Sequence, residues 1–379
     1  MNFQCAFATF IIVMSRWAPR YFDIGVNFSD SMFQGVYHGS VKHKPDLEAV
    51  IARARLFRVE RMLVTSSTIS ESEDHVQLAQ KHPGVFYSTV GVHPCTVAEE
   101  FYCKGTEDLL PDVDEKLNKL REIAVNGTKT GAIKAFGEIG LDYDRLHYSS
   151  KDQQRTFFSK QLEIAASLKH LQLPLFLHMR NAVDDFVSIL KPFVDRGDFP
   201  ASGVVHSFTG TEKELHQLLQ LGFKISVNGC SLKTSENLEV AAKIPRSQLL
   251  IETDAPWCEI RKSHASHKLL TSYPNLFYPE IPGMNDMKEL AKGKKFDERL
   301  PFPTAKSDAV DKIEESLSQY RDSVDPIAMH PLVKSRNEPV FVGQVAQIMC
   351  SLYGLEEPDQ IQVFLDEVYE RSCQLFGVD

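Results

Sequence analysis

The fold turns on the stretch Ile133 to Tyr143, which reads IKAFGEIGLDY. A short apolar run ends abruptly in Gly137-Glu138-Ile139-Gly140, with Asp142 just beyond. In an extended strand, alternate side chains share a face, so Glu138, Gly140 and Asp142 point the same way. A carboxylate at the end of a buried strand is expensive to desolvate without a partner. A metal ion or another cation is the partner such a position asks for.

Working outward, the same rhythm recurs from Tyr21 to Pro256. Short β-branched runs alternate with stretches of helical periodicity. The runs are 21–27, 61–67, 85–94, 135–142, 174–180, 203–209, 223–229 and 249–256. Helical stretches fall at 45–57, 73–81, 117–124, 153–169, 182–194, 212–221 and 236–244. Strand–helix alternation implies parallel strands joined by crossovers, and eight such units close into a (β/α)8 TIM barrel. An open doubly wound sheet would want a glycine fingerprint after the first strand, and none is there.

The barrel is expected to comprise 21–256 and 335–379, with a long insertion after strand eight. Residues 257–334 break the rhythm and read as a loop or lid, partly disordered. Helical patterns return at 340–353 and 358–375 and are expected to close the barrel. Residues 1–20 read as a disordered leader: Cys5–Met14 is apolar, but no basic residue precedes it as a secretory signal requires. Met14 is an alternative start.

The 379 residues are 43% hydrophobic and 25% charged, enough for a large core. The net charge of −9 argues against a protein that clamps duplex DNA through many phosphate contacts. Seven dispersed Cys without CxxC spacing suit free thiols in a reducing compartment, so a cytoplasmic or nuclear location is expected. No run is long enough for a membrane span. A monomer is expected.

Chemistry in such a barrel sits at the C-terminal strand ends. Those ends carry Asp23, Gly25 and Asn27, then His93, Glu138, His178 with Arg180, His206, and Glu252 with Asp254. Each alone has a plain structural reading. Together, Glu138, His178, His206 and Asp254 form a mixed nitrogen and oxygen donor set at one depth of one mouth. Mn or Zn suits the imidazoles, and Mg fits if waters complete its octahedron. Asp254 is the candidate to take a proton from water. Arg180 suits a phosphate oxygen, and His93 sits at the same rim as a donor. Glu252 is expected behind a ligand, or paired with Arg336. Glu338 is expected either in that supporting role or as a helix cap. Phe208, Trp257 and Tyr143 are aromatics that either stack a terminal base or fill the barrel top.

These residues resemble the TatD family of metal-dependent deoxyribonucleases, a branch of the amidohydrolase-like barrels. The matching text is FDIGVN at 22–27, GVHP at 91–94, GEIGLD at 137–142, LHMR at 177–180, HSFTG at 206–210, ETDAP at 252–256 and RNEP at 336–339. The resemblance implies a Mg-dependent nuclease with 3′-to-5′ exonuclease activity on single-stranded DNA or strand ends, in some members with endonuclease activity. It implies Glu138, His178, His206 and Asp254 as metal ligands and His93 at the substrate site; Arg180 and Asn27 are the further substrate-binding candidates. Many members carry His-x-His at the end of strand one; here those positions are Gly25 and Asn27. Asn27 offers only a neutral carbonyl, so a second ion is expected to be weak and recruited with substrate. Arg371 stands where the family often has Asn. A small-molecule amidohydrolase or lactonase on the same barrel is the alternative.

Overall fold

The computed structural model describes residues 17–199, 203–281, 295–318 and 330–379. Eight parallel strands run in chain order: β1 Tyr21–Val26, β2 Val59–Val64, β3 Phe86–Val90, β4 Ile133–Asp142, β5 Leu175–Arg180, β6 Val204–His206, β7 Lys224–Val227 and β8 Leu249–Ile251. Every residue of β1 is buried, including Asp23, whose carboxylate accepts from the Thr253 amide at 2.8 Å. The ends of the sheet meet through a parallel bridge, Val26 to Ala255. The amides of Asn27 and Asp254 complete the seam, donating to Ala255 and Gly25 carbonyls at 2.7 and 2.8 Å. The expected TIM barrel is therefore the observed one.

The crossovers are α1 Leu47–Leu56, α2 Ile69–Lys81, α3 Val113–Lys129, α4 Lys151–Ser167, α5 Val183–Asp195, α6 Glu212–Gln220 and α7 Ser235–Ala241. Their starts are written locally. Ser150 with Gln153, and Thr211 with Glu214, form reciprocal capping boxes at α4 and α6.

Strands six and eight end earlier than their apolar text suggests. Ser207 and Asp254 adopt positive φ, 49° and 56°, which an extended ladder does not accommodate. The chemistry-bearing residues beyond β6 and β8 therefore lie on turns that lean over the mouth.

Residues 257–334 differ from a simple lid. The described part contains the turn Ala265–Leu269, the helix α8 Val310–Leu317, and a parallel pairing of Thr304–Ala305 with Leu332–Val333. Phe57, at the end of α1, packs edge-on against Tyr278, Phe302 and Tyr273 at 5.4, 6.0 and 6.0 Å. Each such pair contributes roughly 0.5–1.5 kcal/mol beyond area burial. Tyr21, which opens β1, donates its hydroxyl to the Phe277 carbonyl. That anchor lies at the N-terminal end of the barrel, opposite the mouth. Tyr273, Phe277, Tyr278 and Phe302 thus anchor the described part of the insertion along the outside of the barrel. Residues 282–294 and 319–329 of the insertion lie outside the described residues.

Of the expected leader, 1–16, including Met14, lie outside the described residues. Residues 17–20 are packed rather than loose: Trp17 rests on the core, and Arg20 pairs with Glu370 at 3.0 Å. Two final helices, α9 Val342–Leu352 and α10 Pro358–Phe376, follow. Phe376 meets Phe22 of β1 at 5.7 Å, and Arg371 donates to the Leu249 carbonyl at the start of β8. No helix among the described residues is long and apolar enough to cross a membrane.

Candidate active site

Glu138 is the centre of the mouth. The β4–β5 register slips between Gly137 and Ile139, so Glu138 sits in a bulge. Gly140 lets β4 close against β5, since a Cβ there would lie 1.9 Å from the His178 carbonyl oxygen. Three imidazoles then converge on one carboxylate oxygen. Glu138 Oε1 stands 2.8 Å from His178 Nδ1, 2.6 Å from His206 Nε2 and 3.3 Å from His93 Nε2. The two ring nitrogens of His178 and His206 are themselves 3.3 Å apart. All four side chains are buried.

The hydrogen-bond network assigns roles to these nitrogens. His178 Nε2 lies 3.1 Å from Asp142 Oδ2. A neutral imidazole carries one N–H, and that carboxylate claims it, leaving a lone pair at Nδ1 aimed at the cluster. His206 has Glu252 Oε1 behind its Nδ1 at 3.5 Å and its Nε2 facing inward. Two lone pairs and a carboxylate oxygen within 3.3 Å of one another repel unless a cation lies among them. Carboxylates behind ligating imidazoles are the usual support of a metal centre. The donor set therefore fits a divalent ion. His93 differs. Its Nδ1 accepts the Cys95 amide at 3.0 Å, so its proton is on Nε2. His93 faces the cluster as a donor, although Glu138, His93 and His178 are close enough to share an ion.

Asp254 reaches the same rim by a different route. Its Oδ1 accepts from Asn27 Nδ2 at 2.8 Å and its Oδ2 from the Cys258 thiol at 3.3 Å. Burial pushes its pKa up to about 6, helped by the charges of Glu252 and Glu138 and opposed by His206 and Asn27. Asn27 uses its amide N–H on Asp254 and its carbonyl on the Thr65 hydroxyl. Asn27 thus holds Asp254 rather than offering oxygen to the mouth. Burial raises the Asp142 carboxyl, but the His178 hydrogen bond and the charges of His178, Arg180 and Arg145 win, lowering it to about 2. Arg180 reaches Asp142 only loosely, at 3.7 Å, and lines an outer cleft of about 350 Å³ with Thr209 and Thr211.

Three expected supporting residues divide. Glu252 does sit behind His206, where it accepts from the Ser207 amide and Asn228 Nδ2 at 2.7 and 3.1 Å. It does not pair with Arg336. Arg336 grips Asp46 through two bonds of 2.7 and 2.6 Å and reaches Glu338 at 3.0 Å. Glu338 makes no side-chain cap; it takes a bidentate pair from Arg53 of α1. This buried ionic cluster fastens α1 to the segment before α9 and stands apart from the Glu138 centre. Its link to the mouth is indirect: Asn337, between the two charged residues, donates to the Thr253 carbonyl at 2.9 Å.

Asp142, Asn228, Cys95 and Cys258 were missing from the expected set. Only Asp142 carried a signal, the alternation that places it on the face of Glu138. Gly25 also gains an explanation: a Cβ there would lie 2.8 Å from Glu252 Oε2. Glycine at that strand end makes room for the carboxylate behind His206. Of the three aromatics, Phe208 is buried, Tyr143 bonds Asp185, and Trp257 is 53% exposed.

The family model of TatD-related DNases matches residues 22–374. A Schizosaccharomyces pombe protein named deoxyribonuclease Tat-D is 37% identical over 94% of this chain and 96% of its own length. A protein from Pantoea sp. named 3′-5′ ssDNA/RNA exonuclease TatD is 37% identical over 64% of this chain and 82% of its own. Among solved structures, one titled an uncharacterized amidohydrolase from Saccharomyces cerevisiae superposes with a TM-score of 0.72 and 34% identity, covering 94% of this chain and all of that one. The chain belongs to the TatD-related DNase family and is a hydrolase of ester bonds.

Proposed function

We propose that the protein is a divalent-metal-dependent deoxyribonuclease that removes nucleotides from the 3′ ends of single-stranded DNA, with endonuclease cleavage as a lesser activity. The observation that carries this reading is the convergence of His178 Nδ1, His206 Nε2 and Glu138 Oε1 on one point of the mouth. Glu138, His178 and His206, with Asp254, would hold the ion, Mg first and Mn or Zn as substitutes. A divalent cation there supplies Lewis acidity toward a phosphoryl oxygen and a lowered pKa for water.

The chain's own groups do the rest. Asp254, held by Asn27 and Cys258, accepts the proton of the attacking water. The Nε2–H of His93 donates toward the phosphate or the leaving oxygen. Arg180 offers its guanidinium edge to a phosphate oxygen, its hold on Asp142 being loose enough to leave donors free. Asp142 and Glu252 keep the two imidazoles turned inward. The acidic chain favours a substrate engaged at one end over a clamped duplex. With Gly25 and Asn27 at strand one, a second ion is weak and arrives with substrate. A cytoplasmic or nuclear location and a monomeric state accompany this reading.

The test is cleavage of 5′-labelled single-stranded DNA, and of RNA of the same sequence, with Mg, with Mn and with chelator. Glu138→Ala and His206→Ala should abolish the metal-dependent product ladder. Undiminished cleavage in either variant removes the proposal. The likeness to a yeast protein described as an amidohydrolase favours one second reading, hydrolysis of a cyclic amide or lactone at the same centre. A screen of such compounds separates the two.

A further inference from the structure

A cleft of about 600 Å³ opens in the insertion, between residues 259–272, 295–304 and 332–336. Its charge is opposite to that of the chain. Arg299 is neutralised by Asp297 at 3.0 Å, and Arg336 is spent on Asp46 and Glu338. Four cations remain: Arg261, Lys262, Lys295 and Lys334. Arg261 and Lys262 meet Glu259 and Glu298 only at 3.8 and 3.9 Å, and Lys262 and Glu298 are 82% and 80% exposed. Such exposed pairs hold weakly and exchange readily for another anion. Lys295 and Lys334 are exposed, and neither is in an ion pair among the described residues, although Glu259, Asp297 and Glu298 line the same cleft. The local field is visible in its neighbours. Burial first, then Arg299 and Lys262 against the opposing Glu298 and Asp297, hold His267 below its usual pKa; burial, Lys233 and Arg261 do so for His264.

Both walls of this cleft spring from the loop that carries Asp254. On one side the chain runs from Asp254 through exposed Trp257 to Glu259, five residues that span at most about 17 Å. On the other side Asn337, next to Arg336, bonds the Thr253 carbonyl and, through its own amide, the Pro256 carbonyl, each at 2.9 Å. Phe296, partly buried, lies among the lining side chains. A basic groove lined by Phe296 and Phe341 and tied to the Asp254 loop has the composition of a path for single-stranded nucleic acid.

We infer that this cleft is a binding site for the phosphodiester chain of single-stranded DNA, holding the portion of the strand away from the end being cleaved, with Trp257 as a base platform between mouth and cleft. The inference rests on the nuclease reading above and adds a substrate-length preference to it. An end-directed site on an acidic protein needs a local cationic hold to keep long strands, and the insertion supplies one.

The test compares a 4-mer and a 20-mer of deoxythymidylate with the wild type and with the triple variant Lys262→Glu/Lys295→Glu/Lys334→Glu. These lysines are exposed, and a matched triple Lys→Arg variant controls for folding. The charge-reversed variant should raise the KM for the 20-mer by at least about tenfold, flatten its salt dependence, and raise the KM for the 4-mer far less. The Lys→Arg variant should keep the wild-type 20-mer KM. Equal KM changes for both lengths, or an unchanged 20-mer KM and salt slope, overturn the inference. Anisotropy of a labelled 20-mer in EDTA reads the cleft without chemistry. Weaker binding by the charge-reversed variant there, beside a wild type that cleaves neither DNA, supports the cleft and removes the nuclease reading.

Discussion

His178 Nε2 lies 3.1 Å from Asp142 Oδ2, and this contact decides which face of the imidazole the mouth sees. The carboxylate is fixed in turn. Its Oδ1 accepts the Asp144 amide at 3.0 Å, and Gln154 of α4 clamps the Asp142 backbone through both its N–H and its carbonyl. Asp142→Asn should therefore lower metal affinity by about 10–100-fold, as outer carboxylates of imidazole ligands do. Calorimetric titration with Mn²⁺ checks this, and an affinity within twofold of wild type would contradict it.

His93 predicts a different pattern. Because Cys95 fixes its proton on Nε2, it is a donor at the rim rather than a ligand. His93→Gln should reduce kcat by roughly 10²–10⁴-fold, the range of a positioned proton donor. Mn²⁺ affinity measured on the same variant should stay near wild type. A parallel loss of metal would make His93 a ligand instead.

Gly25 and Glu252 should respond together. A methyl group at Gly25 would meet Glu252 Oε2 at 2.8 Å, in a fully buried position. Gly25→Ala should cost about 1–3 kcal/mol through overpacking and tilt the carboxylate away from His206. Thermal unfolding and metal titration should both fall. A variant as stable as wild type would show that Glu252 has room to move.

Acid stability should report the ionic cluster far from the chemistry. Burial would raise the Asp46 carboxyl, yet hydrogen bonds from His330 and Arg336 and their charges hold it well below the usual carboxylate range. A carboxylate depressed in the folded state stabilises above its unfolded pKa, near 3.9, and loses that contribution as pH falls through the folded value. Below about pH 4 the wild type should lose stability that Asp46→Asn has already lost, so the two curves should approach each other. At pH 7 the variant should be destabilised by roughly 3–5 kcal/mol, since buried Arg336 loses its two-bond carboxylate partner and keeps only Glu338, which Arg53 already shares. Urea unfolding at pH 3, 5 and 7 checks both statements.

The chain's one-dimensional pattern already carried the architecture. Strand and helix periodicities are local, so the eight β/α units and the closing helices could be counted from apolar spacing. The strand-end rule pointed to Glu138, His178, His206 and Asp254; the structure brings the first three within 3.3 Å of one another and gives Asp254 to Asn27 and Cys258. Where strands stop was less legible, because the positive φ at Ser207 and Asp254 leaves no apolar trace. Which carboxylate orients which imidazole, and which arginine belongs to which acid, came only with the tertiary structure. Asp46 and Arg336 are 290 residues apart, as are many positions of equal charge that never meet. Tyr273, Tyr278 and Phe302 of the insertion pose the same problem. Their rings announce burial, but only three-dimensional packing reveals that Phe57 receives them at the end of the barrel away from the mouth. Side-chain type follows from the gene one residue at a time; partnership depends on shape, and shape exists only once the whole chain has closed on itself.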